Sequence, residues 1–62
     1  MAQQADRLLK RKQVEEVTGL SRSTIYLQIA QGEFPRPVKL GSRAVAWREG
    51  DVLDWIAARP EA

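Results

Sequence analysis

Two stretches of the chain decide its fold: LSRSTIY at residues 20–26 and FPRPVKLGSR at residues 34–43. The first contains Ser21, whose hydroxyl can accept a hydrogen bond from an amide in the first turn of a following helix. The second places basic residues on both sides of Gly41-Ser42, a pair that suits the turn of a β-hairpin. A sharply started polar helix and a short basic hairpin are shapes that can enter the two grooves of B-DNA from one side.

A helix is predicted just before the first stretch, over residues 11–17. Val14 and Val17 stand three positions apart, which places two side chains on one face of a helix. Gly19 follows, and glycine readily adopts the left-handed conformation that a helix C-terminus requires. Upstream of this helix, Leu8 and Leu9 are expected to bring the chain onto the core.

The second helix is predicted over residues 22–31. Ile25 and Ile29 lie four positions apart and define its buried stripe, and Gly32 ends it. Two short helices joined by a few residues around a glycine form a helix-turn-helix.

Beyond this pair the apolar period changes from helical to alternating. We expect a hairpin over residues 37–47, with Gly41 and Ser42 as a two-residue turn. This register sets Val38 opposite Val45 and places both valines on one face.

A last helix is predicted over residues 49–59, with Val52, Trp55 and Ile56 on its apolar stripe and Pro60 closing it. The predicted fold class is therefore mainly α with a small β-hairpin, arranged as a winged helix-turn-helix.

The chain has 62 residues, which is enough for one domain with a small core. We expect a flexible N-terminus over residues 1–7, the domain over residues 8–59 and a tail over residues 60–62. Trp47 and Trp55 lie on the predicted apolar faces, so we assign them to the core rather than to base stacking. The other predicted core residues are Val14, Val17, Leu20, Ile25, Ile29, Phe34, Val38, Val45, Val52 and Ile56.

Composition argues against catalysis. The chain has no cysteine and no histidine, so the thiolate nucleophile and the commonest general base and metal ligand are both missing. We predict no catalytic residue, no metal and no cofactor. The apolar runs fall far short of the ~20 residues that span a bilayer, and the N-terminus lacks the pattern of a secretion signal, so we expect a cytoplasmic protein.

The net charge is only +2, but the charges are unevenly distributed. The last fourteen residues collect carboxylates, at Glu49, Asp51, Asp54 and Glu61. Basic residues run through the middle of the chain: Lys10, Arg11, Lys12, Arg22, Arg36, Lys39, Arg43 and Arg48. One basic side and one acidic end are typical of a nucleic-acid-binding surface. Charge alone leaves open the alternative of an ordinary solvated surface.

In this order of elements the chain resembles the AlpA-type phage and prophage regulators, which are relatives of the phage excisionases and of the MerR-like winged helices. The resemblance runs from residue 7 to residue 59 and is carried by RLL at 7–9, VTGLSRSTIY at 17–26, GEFPRPVKLG at 32–41 and RAVAWR at 43–48. It implies a winged helix whose second helix enters the major groove and whose hairpin contacts the DNA backbone or the adjacent minor groove.

Six residues around the second helix are the predicted major-groove contacts: Ser21, Arg22, Ser23, Thr24, Tyr26 and Leu27. Arg22 can present two donors to the O6 and N7 atoms of guanine. The hydroxyl of Tyr26 can bind a phosphate; the alternative is an aromatic side chain packed beside Ile25 and Ile29. Relatives often carry a basic residue where this chain has Leu27, which can contact a thymine methyl or a neighbouring subunit instead.

The predicted hairpin contacts are Lys39, Ser42 and Arg43. Arg43 either enters a narrow minor groove or holds a phosphate, and we favour the phosphate.

The sequence thus predicts a sequence-specific regulator of transcription that binds double-stranded DNA and is nucleoid-associated when bound. Its further partners would be other copies on DNA, an integrase or RNA polymerase. Two alternatives remain: an excisionase-like architectural factor in prophage recombination, and a protein-interaction module on the same scaffold.

Overall fold

A computed structural model describes residues 7–62 of the chain. Its elements are β1 (Leu8–Leu9), α1 (Arg11–Thr18), α2 (Arg22–Ala30), β2 (Val38–Lys39), β3 (Val45–Arg48) and α3 (Glu49–Ala57). The predicted fold class is confirmed: three helices with a small antiparallel sheet, consistent with a winged helix-turn-helix. The expected flexible N-terminus, residues 1–7, lies outside the described residues except for Arg7. No helix in the described part is long and apolar enough to cross a membrane.

The turn between α1 and α2 is built as the sequence predicts. Gly19 has a φ of 76°, and its amide donates to the carbonyl of Glu15 over 2.8 Å. Ser21 is extended, and its hydroxyl oxygen accepts from the amide of Thr24 over 3.2 Å. A left-handed glycine followed two residues later by an N-cap therefore redirects the chain sharply between the two helices.

The sheet contains a strand that the sequence did not predict. Its order is β1-β3-β2, with β3 in the centre and both pairings antiparallel. Leu9 pairs with Trp47 and is buried, whereas Leu8 pairs with Arg48 and is largely exposed. Two residues are too few to show an alternating pattern, so β1 carries no periodic signal.

The predicted two-residue hairpin turn is wrong. Val38 pairs with Ala46, and the amide of Leu40 donates to the carbonyl of Ala44 over 2.7 Å, which leaves a three-residue loop over 41–43. The two-residue turn with glycine in first place needs a positive φ there, and among the described residues only Gly19 and Gly32 have one.

The shifted register changes which side chains share a face of the sheet, relative to the prediction. Val45, which was predicted to be in the core opposite Val38, is 38% exposed, and Ala46 is buried instead. Val38 is only half-buried. The one-residue shift places Val38 on the face of Ala46 and sets Lys39 opposite Val45, on the face that Val45 shares with Trp47.

The core lies between the three helices and the sheet. Its buried residues are Leu9, Val14, Ile25, Phe34, Ala46, Trp47 and Val52. Against it pack the partly buried residues Leu20, Ile29, Trp55 and Ile56. Val17, predicted to be in the core, is 50% exposed. The half-buried side chains of α1 lie on the other side of Val14, so Val17, about 60° away in the opposite sense, turns toward solvent.

Both tryptophans pack in or against the core, as predicted. The indole nitrogen of Trp47 donates to the carbonyl of Pro35 over 3.0 Å, and that of Trp55 donates to the carbonyl of Glu33 over 2.8 Å. Phe34 lies edge-on to Trp55, with ring centroids 4.9 Å apart. The two indoles thus hold the irregular connection between α2 and the hairpin at two points in its middle.

The last helix is shorter than the predicted range 49–59 and ends at Ala57. Pro60 disfavours a helical conformation in the residue before it, and the amide of Arg59 bonds back only to the carbonyl of Ile56, over 3.1 Å. At the other end, the amide of Glu49 donates to the carbonyl of Arg7 over 2.7 Å, which ties the start of α3 to β1.

Candidate nucleic-acid interface

The outer face of α2 is open to solvent. Ile25 is fully buried, while Arg22, Ser23, Tyr26 and Leu27 are exposed. Leu27 is the most exposed large apolar side chain among the described residues, at 56%. The structure therefore brings four of the six predicted helix contacts onto one accessible face.

The other two predicted helix contacts, Ser21 and Thr24, form the cap of α2. Besides accepting from the amide of Thr24, the Ser21 hydroxyl donates to the Thr24 hydroxyl oxygen over 3.0 Å. Thr24 is half-buried. This pair orients the first turn, where the helix dipole concentrates positive potential and no acidic side chain opposes it.

One contact between α2 and the sheet consists of three side chains in series: Arg22, Tyr26 and Trp47. The guanidinium carbon of Arg22 lies 5.9 Å from the centroid of the Tyr26 ring. That ring meets Trp47 edge-on, with centroids 6.3 Å apart and an interplanar angle of 63°. Tyr26 is 40% exposed, so it neither stands free in solvent nor packs wholly into the core. The sequence did not predict this contact, because 21 positions separate the two aromatic residues.

The hairpin continues the face of the sheet on which Tyr26 packs. Val45 and Trp47 are two positions apart on β3, so their side chains share a face. Lys39 pairs directly with Val45, and paired side chains lie on the same face. Lys39 therefore belongs to the face of the sheet that α2 covers at Trp47. Ser42 and Arg43 lie in the exposed loop that follows.

Charge separates the stretch that contains the predicted contacts from the stretch that contains α3. Residues 20–48 contain five basic residues and one acidic residue, a net charge of +4, whereas residues 49–62 contain four acidic residues and one arginine, a net charge of −3. Among the described residues, ion pairs join Arg7 to Glu49 and Arg11 to Glu15. The predicted DNA-contacting cations Arg22, Lys39 and Arg43 are in neither pair, so their charge is not offset by an adjacent carboxylate.

Two basic residues of this stretch were not assigned to the interface from the sequence. Arg48 is exposed but pairs with Leu8, on the face of the sheet opposite to Trp47. Arg36 is exposed in the connection before the hairpin. In the described part of the chain no group of three or more acidic side chains is placed to hold a metal ion.

Comparison with known proteins places these features in a family. The family profile described as "Prophage CP4-57 regulatory protein (AlpA)" matches residues 7–60. The chain is also 48% identical over 54 residues to "Uncharacterized protein ORF88" of Enterobacteria phage P4, a match that covers 87% of this chain and 61% of that protein. The chain thus spans about three-fifths of the length of this curated relative.

Proposed function

The chain belongs to the AlpA family of prophage regulatory proteins, and on that premise we propose that it is a sequence-specific regulator of transcription that binds double-stranded DNA. In this proposal α2 enters the major groove and the hairpin loop contacts the backbone beside it. The observation that carries the proposal is the shared face described above: α2 packs on the sheet through Tyr26 and Trp47, and Lys39 continues that face toward the loop.

The first turn of α2 has the features of a DNA-reading element. Arg22 supplies a two-pronged donor that matches the O6 and N7 atoms of guanine, and Ser23 lies beside it on the exposed face. Ser21 and Thr24 act indirectly, because they hold the helix start whose amides and dipole attract a phosphate. Leu27, one turn further along, is suited to a thymine methyl.

The hairpin supplies backbone contacts. Lys39, Ser42 and Arg43 are exposed, and the three-residue loop brings Ser42 and Arg43 together at the tip. We assign Arg43 to a phosphate rather than to the minor groove, because a flexible cation on a short loop needs no deformation of the duplex to reach the backbone.

One small module gives limited contact with DNA, since single modules bury only ~600–1,000 Å². Tight binding therefore calls for several copies, acting either at a promoter with RNA polymerase or as an architectural, excisionase-like array with an integrase. Both forms use the same surface, and both operate in the cytoplasm on the nucleoid. Footprinting in the cell separates them: sites beside a promoter support regulation, and an array within an attachment site supports the architectural role.

A protein-interaction module is the second candidate, favoured by the exposure of Leu27 in the middle of the α2 face. Fluorescence anisotropy with random and genomic duplexes decides between the two. With about five phosphate contacts, the logarithm of affinity should fall with the logarithm of salt concentration with a slope of about −4.5. Absence of binding even at low salt would contradict the DNA-binding proposal.

A matched pair of charge-removal variants locates the surface. The double variant Lys39→Ala, Arg43→Ala should flatten the salt dependence by about 1.8 for two lost phosphate contacts. The control variant Lys12→Ala, Arg59→Ala removes two exposed cations, one from α1 and one from the segment after α3, and should change the slope by less than about 0.9. Equal losses in the two variants would mean that binding does not use the α2 and hairpin side.

A further inference from the structure

We propose that Tyr26 is a positioning residue: its ring, held against Trp47, aims the Arg22 guanidinium at DNA, and its hydroxyl is not needed. The inference rests on the proposed function and deepens it. It differs from the interpretation based on sequence alone, in which the hydroxyl of Tyr26 contacts a phosphate directly.

Trp47 provides the rigid base of this arrangement. It is fully buried, its indole donates to the carbonyl of Pro35, and its backbone pairs with Leu9 in the centre of the sheet. A side chain fixed by packing, by a hydrogen bond and by strand pairing has one orientation. A side chain packed against it is therefore restricted in orientation as well.

Tyr26 connects the fixed side chain of Trp47 to the surface of α2. The 6.3 Å separation and the 63° angle to Trp47 lie within the range of favourable edge-to-face aromatic pairs. Tyr26 also contacts Arg22, one helical turn earlier. The guanidinium carbon of Arg22 lies 5.9 Å from the centroid of the Tyr26 ring, which is within the range of a cation–π interaction. Both contacts use the ring of Tyr26 rather than its hydroxyl.

The contact with Tyr26 should reduce the conformational entropy that Arg22 loses when it binds DNA. An exposed arginine samples many rotamers and loses that freedom when it grips a base, which weakens binding. A guanidinium that already lies near an aromatic ring has lost part of that freedom before DNA arrives. A cation–π contact at an exposed site corresponds to a gain of about two- to fivefold in affinity.

The chain contains a matched control for this pair. Arg59 follows Trp55 by four positions, with its guanidinium carbon 4.2 Å from the indole centroid, at the end of α3 and outside the proposed interface. The Arg22–Tyr26 and Trp55–Arg59 pairs share chemistry and helical spacing. Only the first should affect DNA binding.

The test measures affinity and base preference for a duplex selected by the unaltered chain from a random-sequence library. We expect Tyr26→Phe to bind like the unaltered chain, and Tyr26→Leu to bind about two- to fivefold more weakly. The double variant Arg22→Ala, Tyr26→Leu should bind no more weakly than Arg22→Ala alone, because nothing is left to position. Tyr26→Leu should also relax preference at the same base pair as Arg22→Ala, which a general loss of stability would not do. Arg59→Ala should change neither quantity.

Several results would overturn the inference. If Tyr26→Phe loses as much affinity as Tyr26→Leu, the hydroxyl is the active group. If Tyr26→Leu has no effect, or if its loss adds fully to that of Arg22→Ala, the two side chains act independently. If Arg22→Ala binds like the unaltered chain, Arg22 is not a contact, although DNA binding itself stands. If the unaltered chain selects no duplex, the proposed function and this inference fail together.

Discussion

The helices α2 and α3 are alike in size and packing but opposite in charge. Each has nine residues and one fully buried aliphatic side chain, Ile25 in α2 and Val52 in α3. Each also exposes one leucine, Leu27 at 56% and Leu53 at 51%. Yet α2 contains no acidic residue, whereas α3 contains three. Both helices pack through a buried aliphatic side chain, and charge distinguishes the one that we propose to bind DNA.

The two helices also begin differently. The start of α2 is capped by the neutral side chain of Ser21, so the positive end of its dipole remains available to an anion. The start of α3 has Glu49 and Asp51 in its first turn, which already supply negative charge to that end of the helix. A phosphate would therefore be attracted to α2 and repelled from α3.

Trp47→Ala should have the largest effect on this pair of helices, because both depend on the side chain it removes. Trp47 lies under Tyr26 of α2 and belongs to the same buried core cluster as Val52 of α3. We expect the free energy of unfolding to fall by about 3–5 kcal/mol, the cost typical of deleting a buried aromatic side chain. Urea denaturation followed by circular dichroism measures it. Trp55→Ala, at a half-buried position, should cost less, and an equal loss at both positions would contradict the assignment of Trp47 as the central core residue.

A negative charge on each exposed leucine tests whether the helices really differ in function. Leu27→Glu places a carboxylate on the proposed DNA-facing side and should weaken duplex binding by at least about tenfold, about 1.4 kcal/mol. Leu53→Glu adds the same charge to the acidic helix and should change affinity far less. Equal losses measured by anisotropy would show that only net charge matters.

The sequence predicted the helices well because local signals determine them. Ser21, Gly19 and the spacing of Ile25 and Ile29 are signals within one or two turns, and the boundaries of α1 and α2 differ from the predicted ones by one residue. The end of α3 was misplaced by two residues, because Pro60 restricts the residue before it as well as its own position.

The sheet was predicted less well because its details depend on distant partners. The pairing of Leu9 with Trp47 joins residues 38 positions apart, and no local pattern predicts it. The hairpin register depends on the type of turn, and turn types differ in the φ that they require at Gly41. Glycine can adopt each of these φ values, so the sequence does not select one turn type. The same holds for the interface: the exposure of Arg22 and Leu27 follows from helical periodicity, but the contact between Tyr26 and Trp47 is visible only in three dimensions.

Removal of the helix cap tests the contrast between the two helix starts. Ser21→Ala deletes the acceptor for the amide of Thr24 and should lower the free energy of unfolding by about 1 kcal/mol. Arg48→Ala, at the corresponding position before α3, removes no capping hydrogen bond and should change stability by less than about 0.5 kcal/mol. Thermal unfolding of both variants measures the difference. A larger loss for Arg48→Ala would mean that α3 depends on its preceding side chain in a way the backbone hydrogen bonds do not explain.

The smallest expected effect comes from a positive charge on the same two leucines. Leu27→Lys offers one more cation to the DNA backbone from the outer face of α2, so the slope of log affinity against log salt should steepen by about 0.9. Leu53→Lys adds an identical charge beside Asp51 and Asp54 on α3, where a phosphate is not expected, and should leave the slope unchanged. Both positions are exposed, so neither variant should shift stability by more than about 0.5 kcal/mol. Since the two variants have the same net charge, a slope that steepens equally in both would assign DNA binding to the charge of the whole molecule rather than to α2.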